Sequence, residues 1–269
     1  MSDFPFMGSA LGTADDDGVF VTQINASATP NTKGSWTQLA ASFALNMSLM
    51  FIVLESTQDA SIQGGMLDIG IGGAGSEVVV VPNLFVRDNS AYNQFHHAVI
   101  PCWVPAGTRV AARIQSSKAN ADYYLKTAFL PWALFSTSWP QTATDYGSNL
   151  SSTTGVVLTA GTGGVSGPTV EITPSCNAIK GMLVCLNEDT TTGINVMINI
   201  VVGGVSVERF MIDNLFSGVL GSVGGSAVDM IRVPWVWLPV EVAAGQRIAA
   251  NMKASTDSTT MQMTIIGFS

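Results

Sequence analysis

An internal duplication constrains the fold of this 269-residue chain more than any other feature. The segment MLDIGIGG at 66–73 aligns without a gap with MINIVVGG at 197–204, at an offset of 131. The same offset matches Glu77 with Glu208. Self-similarity at a fixed spacing is typical of a repeated structural unit. The sequence therefore predicts two copies of one unit in tandem.

The similarity extends on both sides of these segments. Downstream, AGTRVAA at 106–112 aligns with AGQRIAA at 244–250 at an offset of 138. Upstream, LMFIVLE at 49–55 aligns with MLVCLNE at 182–188 at an offset of 133. The larger downstream offset reflects a longer insertion in the second copy, so we expect a loop excursion at this place in each copy.

Within each copy, the local pattern indicates short β-strands. Runs of Val, Ile, Leu and Met such as 78–81 and 196–202 are bounded by Gly, Pro, Asn or Asp. Val110, Ala112 and Ile114 alternate with other residues, which is typical of a half-buried strand. Strand-rich units of this length predict an all-β fold, with two tandem jelly-roll-like antiparallel β-sandwich domains related by internal duplication.

Composition indicates the boundaries of the units. Residues 1–35 contain DDDG and NASATPNTKG and are predicted to form a polar N-terminal arm. Residues 136–168 are rich in Ser, Thr and Gly and are predicted to form a connector. The two β-sandwich units are then expected at 36–135 and at 169–269.

Few residues carry a charge. Charged residues make up 11% of the chain, against about 25% in an average soluble domain, and the net charge is -8. Scattered Lys and Arg argue against nucleic acid as a partner. The most apolar stretch, 43–54, is shorter than the roughly 20 residues that a membrane-spanning helix needs. We therefore expect that other protein covers much of the surface after assembly.

The motifs that could carry chemistry are weak. The letters G-x-G-x-x-G occur at 70–75, but a strand-like run follows them where a helix is required, so a hairpin turn is predicted. Cys102, Cys176 and Cys185 lack the spacing of a zinc site and are expected in the core. No pair of carboxylates can be placed at one site, as a glycosidase requires. The sequence thus predicts no enzyme, no cofactor and no metal site.

Two arginines hold the same position in the two copies, each two residues after a turn glycine. These residues are Gly107 and Arg109 in the first copy and Gly245 and Arg247 in the second. In a chain with so few charges, we expect a duplicated arginine to pair with a carboxylate and to pin its hairpin to the sheet. The candidate partners are Glu77 and Glu208 or, alternatively, Glu55 and Glu188.

The excursion loops at 86–98 and 217–236 contain residues suited to contacts with a partner. The candidates for interface or glycan contacts are Tyr92, His96, His97 and Trp235. Further aromatic residues near the unit edges are Trp103, Trp237, Tyr123 and Tyr124. Such rings could form a stacking platform for sugars, or they could lie in the core or in a protein interface.

One strand–turn phrase recurs in both copies. It reads WVPAGTRVAAR at 103–113 and VAAGQRIAA at 242–250. Together with the charge-poor composition rich in Gly, Ser, Thr and Val, this phrase resembles structural proteins of tailed-bacteriophage virions. The second copy departs from the phrase with Gln246 for Thr108 and Asn251 for Arg113. The resemblance covers both sandwich units and carries over no functional residue.

The resemblance implies a non-enzymatic structural component of a phage virion, of the capsid-decoration, collar or tail-associated type. Its expected partners are copies of itself and a major capsid, collar or tail protein of the same virion, through oligomeric interfaces. The alternative is a glycan-binding receptor-recognition module on the virion surface. Neither function involves nucleic acid or a membrane. Because the N-terminus lacks the features of a secretory signal, we expect synthesis in the host cytoplasm and a location in the virion.

Overall fold

Antiparallel β-strands make up nearly all of the regular structure in the computed structural model. The structure describes residues 10–11, 13–14, 20–56, 63–88, 95–131, 142–188, 195–219, 222–223, 226–227 and 235–269. The strands of the first copy are β1 (Ala10–Leu11), β2 (Thr13–Ala14), β3 (Phe20–Asn25), β4 (Thr37–Ala40), β5 (Met47–Ser56), β6 (Gln63–Ile71), β7 (Val78–Asp88), β8 (Phe95–Val104), β9 (Val110–Ser116) and β10 (Asp122–Pro131). Those of the second copy are β11 (Ala143–Tyr146), β12 (Val156–Thr159), β13 (Val170–Thr173), β14 (Gly181–Glu188), β15 (Asn195–Val202), β16 (Arg209–Val219), β17 (Ser222–Val223), β18 (Ser226–Ala227), β19 (Trp235–Leu238), β20 (Ile248–Ala254) and β21 (Thr260–Phe268). A 3-10 turn lies at Thr162–Gly164.

Each copy folds into two facing antiparallel sheets. In the first sandwich, sheet 1A has the strand order β2-β3-β10-β5-β8, with β1 also on β10, and sheet 1B has the order β4-β9-β6-β7. In the second sandwich, sheet 2A has the order β11-β21-β14-β19, with β12 also on β21, and sheet 2B has the order β13-β20-β15-β16. The two sandwiches share one arrangement of strands, so the predicted fold class of two tandem jelly-roll-like sandwiches is confirmed.

The duplication extends into the segments predicted as arm and connector. The strands β1 and β3 pair with β10 just as β11 and β12 pair with β21. Strand β3 begins at Phe20, before residue 36, and β11 begins at Ala143, before residue 169. Both segments therefore supply strands to the sandwiches. Their composition resembles that of a linker because these short strands are separated by runs rich in Asp, Ser, Thr and Gly.

The inward-facing side chains of the two copies correct the alignment of one strand. Inward residues of β5 are Met50, Ile52 and Leu54, and those of β14 are Met182, Val184 and Leu186. These residues match at an offset of 132, so the offset of 133 inferred from the letters is wrong by one position. A one-residue slip would move every side chain of the strand to the opposite face of the sheet.

Strand β9 was expected to be half-buried but is buried on both faces. Val110 and Ile114 point into the first core, as the alternation predicts. On the other face, Gln115 is also buried, because its Nε2 donates to the carbonyl oxygen of Leu150 at 2.6 Å and to Thr153 Oγ1 at 2.8 Å. A loop of the second copy therefore covers this strand of the first.

The central strands of sheet 2A, β14 and β21, are likewise buried on both faces. One face covers the second core, and the other adds Leu183, Cys185, Ile266 and Phe268 to the first core. None of these four side chains is more than 2% exposed. Burial of a large apolar side chain stabilises a protein by roughly 1.5–3 kcal/mol, so this contact between the sandwiches is a major source of stability. It closes the side of the first sandwich between β7 and β8.

Candidate functional site

The arginine of the first copy connects three strands of sheet 1B. Arg109 Nη1 donates to Glu77 Oε1 at 2.6 Å, and Arg109 Nε donates to Gln38 Oε1 at 3.0 Å. Burial raises the pKa of Glu77, but backbone N–H donors and the Arg109 guanidinium outweigh this effect and hold the pKa below its ordinary value. The carboxylate stays ionised, and the ion pair fixes the hairpin between β6 and β7 to the start of β9.

The arginine of the second copy makes the equivalent contacts. Arg247 Nη1 donates to Glu208 Oε1 at 2.9 Å, and Arg247 Nε donates to Glu171 Oε2 at 2.8 Å. The hydrogen bond to Glu171, opposed by desolvation and reinforced by the one to Glu208, raises the pKa of Arg247. Of the two sets of carboxylates that the sequence left open, the structure places Glu77 and Glu208 on the arginines.

The turn glycines adopt the same conformation in both copies. Gly107 has φ +76° and Gly245 has φ +81°, in the left-handed region that L side chains rarely adopt. Each glycine N–H donates to a backbone carbonyl at 2.8 Å, that of Phe43 in the first copy and that of Cys176 in the second. The turn that precedes each arginine is therefore held by its backbone conformation and by one hydrogen bond.

The hairpin tips that these arginines hold expose apolar side chains. In the first copy, Val78 is 66% exposed, and in the second, Val205 and Val207 are each 71% exposed. The glycine-rich run at 70–75 forms the hairpin turn predicted for it, since β6 and β7 pair on either side. Large apolar side chains exposed on pinned hairpins are suited to contacts with another protein.

A groove lies where strand β8 of the first sandwich meets strand β19 of the second. Its volume is about 370 Å³, and its lining residues are Leu49, His97, Ala98, Val99, Pro101, Trp235 and Trp237. Among the described lining residues, His97 has the only titratable side chain, and the others are aliphatic or aromatic. Two of the four predicted contact residues, His97 and Trp235, therefore meet at one site.

The other predicted contact residues are placed differently. His96 is buried, with its ring 5.6 Å from the ring of Trp235. Trp235 is itself only 3% exposed, and its indole Nε1 donates to the carbonyl oxygen of Phe85 at 2.8 Å. Trp235 thus takes part in the contact between the two sandwiches. Tyr92 lies outside the described residues.

The aromatic residues considered for a stacking platform are divided between core and surface. Tyr123 is fully buried, and its hydroxyl lies 3.2 Å from Ser116 Oγ, so of the two alternatives for these rings it takes the place in the core. Trp237 is partly exposed in the groove and packs edge-on against Phe268, with the ring centroids 5.2 Å apart. Trp237 is therefore the tryptophan of the groove best placed to meet a ligand.

A partly buried charged cluster, which the sequence reasoning missed, lies at the junction of the sandwiches. Lys33 Nζ donates to Asp68 Oδ1 and to Asn83 Oδ1, each at 2.7 Å. Arg113 Nε donates to Asp68 Oδ2 at 2.9 Å, and Asn83 Nδ2 donates to Asp145 Oδ2 at 2.9 Å. Asp145 belongs to the second copy, so the cluster joins both sandwiches. The available signal was an aspartate in the apolar strand segment MLDIGIGG.

Burial shifts two pKa values in this cluster in opposite directions. Desolvation lowers the pKa of Lys33, although Asp68 opposes that shift. Desolvation also raises the pKa of Asp145, although hydrogen bonds from Ser148 and Asn83 oppose that shift. Each group therefore loses part of its preference for the charged form.

The equivalent cluster in the second copy is neutral. Asn199 replaces Asp68 and its Nδ2 donates to Asn251 Oδ1 at 3.0 Å. Asn199 Oδ1 accepts from the backbone N–H of Asn214 at 2.8 Å, as Asp68 Oδ1 accepts from that of Asn83 at 3.0 Å. The two copies thus keep one backbone contact and differ in charge around it.

The three cysteines are free and buried, as expected for core residues. Burial raises the pKa of the Cys102 and Cys185 thiols to about 12 and raises that of Cys176 as well, so the reactive thiolate is disfavoured. Among the described residues, no group of three or more His, Cys, Asp or Glu side chains is placed to hold a metal ion. In the same part of the chain, no helix is long and apolar enough to span a membrane.

No protein-family model matches the chain, and no curated protein matches it. The structural match with the tandem CBM22-1–CBM22-2 domain of Paenibacillus barcinonensis Xyn10C covers 97% of this chain and 99% of that chain, with 12% identity and a TM-score of 0.32. The match with the STIV MCP covers 92% of this chain and 95% of that chain, with 6% identity and a TM-score of 0.33. The match with PNGase F, a glycosylasparaginase from Flavobacterium meningosepticum, covers 98% of this chain and 94% of that chain, with 9% identity and a TM-score of 0.35. Similarity this low carries no argument about function.

Proposed function

We propose that this protein is a non-enzymatic structural component of a virion and acts through protein–protein interfaces. The exposure of large apolar side chains in a chain with few charges carries the proposal. The large apolar residues that are more than a third exposed, among those the structure describes, are Leu45, Phe51, Val78, Val79, Val99, Leu150, Val157, Val165, Val205, Val207 and Phe210. Contiguous apolar surface is unfavourable in water, and a protein partner that covers it removes it from water.

Several of these side chains are grouped on the surface. Phe51 of β5 and Val99 of β8 lie directly opposite each other on the outer face of sheet 1A. Val99 also lines the groove between β8 and β19, so the sheet face and the groove form one continuous surface. The pinned hairpin tips at Val78 and Val205 add two further contact points on rigid supports.

The lining of the groove favours an apolar protein segment as its occupant. A sugar ring needs several hydrogen-bonding side chains around it, and here His97 is the main polar group. The indole N–H of Trp235 is already donated to the carbonyl oxygen of Phe85. The chemistry of this surface therefore supports a protein partner better than a carbohydrate.

The resemblance to tailed-bacteriophage virion proteins supports a more specific role within the virion. On this basis we propose a capsid-decoration, collar or tail-associated protein located in the virion. Its partners would be copies of itself and a major capsid, collar or tail protein, with no cofactor, no nucleic acid and no membrane involved.

Immunogold labelling and co-sedimentation of purified particles test this function. Antibodies against the chain are expected to label virions, and the added protein is expected to co-sediment with particles that lack it. The double variant Val205→Ser/Val207→Ser removes two apolar contacts at one hairpin tip, so we expect its bound fraction to fall at least several-fold.

The matched control is Val157→Ser, which changes an exposed valine of β12 away from the hairpin tips. This variant is expected to bind particles like the unmodified chain. A chain that labels no particle and remains a monomer at every concentration would contradict the proposed function.

A glycan-binding module is the second candidate, and the partly exposed Trp237 in the groove favours it. A stacked sugar would need this indole, since the Trp235 ring is buried. A glycan array separates the two functions: specific binding that is lost in Trp237→Ala but kept in Val157→Ala supports the glycan module. An array without a signal leaves the protein-assembly function as the better account.

A further inference from the structure

Equivalent strand edges differ in burial between the two sandwiches. In the first, Val81 and Leu84 of β7 are fully buried. Their counterparts in β16, Ile212 and Leu215, match at the offset of 131 but remain partly exposed. Sheet 2A covers the β7 edge within the chain, whereas among the described residues no sheet packs on the β16 edge.

The outer faces of sheets 1A and 2A also differ in burial, but here the second sandwich has the covered surface. On the outer face of sheet 2A, Leu183 and Ile266 are fully buried against the first sandwich. Their counterparts on the outer face of sheet 1A are Phe51, which is 39% exposed, and Ala128, which is partly exposed. The first sandwich thus has a covered edge and a free face, and the second has a covered face and a free edge.

We infer that copies of this chain join head to tail, with the outer face of sheet 1A of one copy covering the β16 edge of the next copy. This inference rests on the proposed function and names a second copy of the chain as the partner. The contact between chains repeats the contact within the chain, because duplicated units retain equivalent faces and edges. The established interface between the sandwiches therefore continues from one copy to the next.

The polar groups of the internal contact have counterparts that fit this repetition. Within the chain, Trp235 of sheet 2A donates to the carbonyl oxygen of Phe85 in β7. The equivalent position of sheet 1A holds His97, which is exposed and carries a ring N–H donor. Its expected acceptor is the backbone carbonyl of Phe216 in the next copy, since Phe216 occupies the position of Phe85 in β16.

A face on one sandwich and an edge on the other make a heterologous contact, so each copy has two different half-sites. Such contacts produce rings where the rotation closes and filaments where it does not. The two half-sites lie on different sandwiches, so one copy can use both at once. The groove next to Val99 would be part of the same contact, because the groove borders the outer face of sheet 1A.

Mixing two complementary blocked variants tests this arrangement. The face variant, Phe51→Asp/Val99→Lys, places an opposite charge pair on the directly opposed residues of sheet 1A, so strand pairing is retained. The edge variant, Asp213→Arg/Asn214→Asp, changes two exposed residues of β16, and Asn214 is the counterpart of Asn83, which hydrogen-bonds Asp145 of sheet 2A within the chain. Circular dichroism and thermal melting verify that both variants fold.

Light scattering coupled to size-exclusion chromatography gives the readout. The unmodified chain is expected to form oligomers larger than a dimer, and each variant alone is expected to run as the 28.2 kDa monomer. An equimolar mixture of the variants is expected to stop at a dimer, because one intact face and one intact edge remain. The control Val157→Asp, at an exposed site on β12, should assemble like the unmodified chain.

Three outcomes would overturn the inference: a monomeric unmodified chain, blocked variants that still assemble alone, or a mixture that stays monomeric. A mixture that stays monomeric while the unmodified chain still binds particles would reject the head-to-tail contact and leave the proposed function standing. A mixture that dimerises while no particle is labelled would retain the contact and reject the virion assignment.

Discussion

The two sandwiches are copies of one unit, yet their equivalent surfaces have different surroundings. Both keep the same strand order, a left-handed turn glycine and an arginine pinned to a carboxylate. They differ at the β7 and β16 edges and at the polar cluster near them, where the first copy is covered and charged and the second is open and neutral. Features that support one hairpin within its own sheet persist, whereas features that depend on a neighbouring sheet diverge.

The polar clusters show this divergence at the level of single residues. In the first copy, strand β11 of the second sandwich brings Asp145 to Asn83, and Lys33 and Arg113 bind Asp68. In the second copy, Asn214 occupies the place of Asn83 and is exposed. A charge removed from water needs a partner, and each charge of the covered cluster in the first copy has one. The open cluster in the second copy contains amide side chains in place of these charges.

The largest expected difference between equivalent positions concerns Trp235 and His97, which match at an offset of 138. Trp235→Ala removes a buried ring and its hydrogen bond to Phe85, and we expect a loss of about 3–5 kcal/mol in the free energy of unfolding. His97→Ala changes an exposed side chain and should alter that free energy by less than about 0.5 kcal/mol. Urea denaturation of both variants measures the difference, and equal losses would contradict the assignment of the covered face.

The next largest effect concerns the charge of the two polar clusters. Asp68→Asn leaves Lys33 and Arg113 without their shared carboxylate, and we expect a loss of about 3 kcal/mol, near the lower limit because the Arg113 side chain is 30% exposed. The opposite change, Asn199→Asp, adds an unpaired carboxylate and should cost about 1–2 kcal/mol.

A compensating variant sharpens this test. Asn199→Asp/Asn251→Arg recreates in the second copy the pair that Asp68 and Arg113 form in the first, so it should recover part of the stability lost in Asn199→Asp. The midpoints of urea denaturation measure the recovery. A double variant less stable than the sum of its single changes would show that the second cluster cannot hold a charge pair.

A smaller effect, equal in the two copies, is expected at the turn glycines. Gly107→Ala and Gly245→Ala force a Cβ into a left-handed conformation, and each should cost about 1 kcal/mol, although no atom lies within 4 Å of the added Cβ. The control Gly204→Ala, where no positive φ is required and the nearest atom is 3.4 Å away, should cost less. Unequal losses at the two turns would argue against their structural equivalence.

The smallest expected effect is a change in pH dependence. Because the folded pKa of Asp145 lies above its ordinary value of 3.8, the folded state binds this proton more tightly than the unfolded state does. Asp145 thus contributes stability that is present below pH 3.8 and is lost as pH rises through its folded pKa. Asp145→Asn removes that contribution, so its stability relative to the unmodified chain should increase with pH across this window.

The midpoints of urea denaturation, measured at intervals above pH 3.8, provide this comparison. Lys33 affects a different window: its folded pKa is lowered, so its contribution to stability increases as pH rises towards the ordinary value of 10.5. Lys33→Met should therefore change the alkaline part of the curve and, because the Lys33 charge opposes the rise in the Asp145 pKa, should also strengthen the pH dependence in the acidic part. Parallel curves for Asp145→Asn and the unmodified chain would contradict the burial of this carboxylate.

Much of the fold was predictable from the letters, and part of the candidate site was predictable too. The Gly-x-Arg pattern at 107–109 indicated a turn and a pinned hairpin. The glycine permits the left-handed conformation of the turn, and the charge of the arginine calls for a carboxylate partner. The strands β1, β3, β11 and β12 were missed because they are short and are separated by runs rich in Asp, Ser, Thr and Gly, which resemble linkers. The junction cluster was missed because Lys33 and Asp145 belong to different copies, lie far apart in the sequence and meet only in the folded chain.

By itself, the sequence determined that two similar antiparallel sandwiches follow each other, where their main hairpins turn, and that few charges cover their surface. Strand alternation, turn conformation and repetition are local properties, so they can be identified without knowing what each residue contacts. Only the tertiary structure decided that Leu183 is buried while its counterpart Phe51 is exposed. Both residues are apolar and occupy the same strand position, and burial depends on which neighbouring sheet packs against that position.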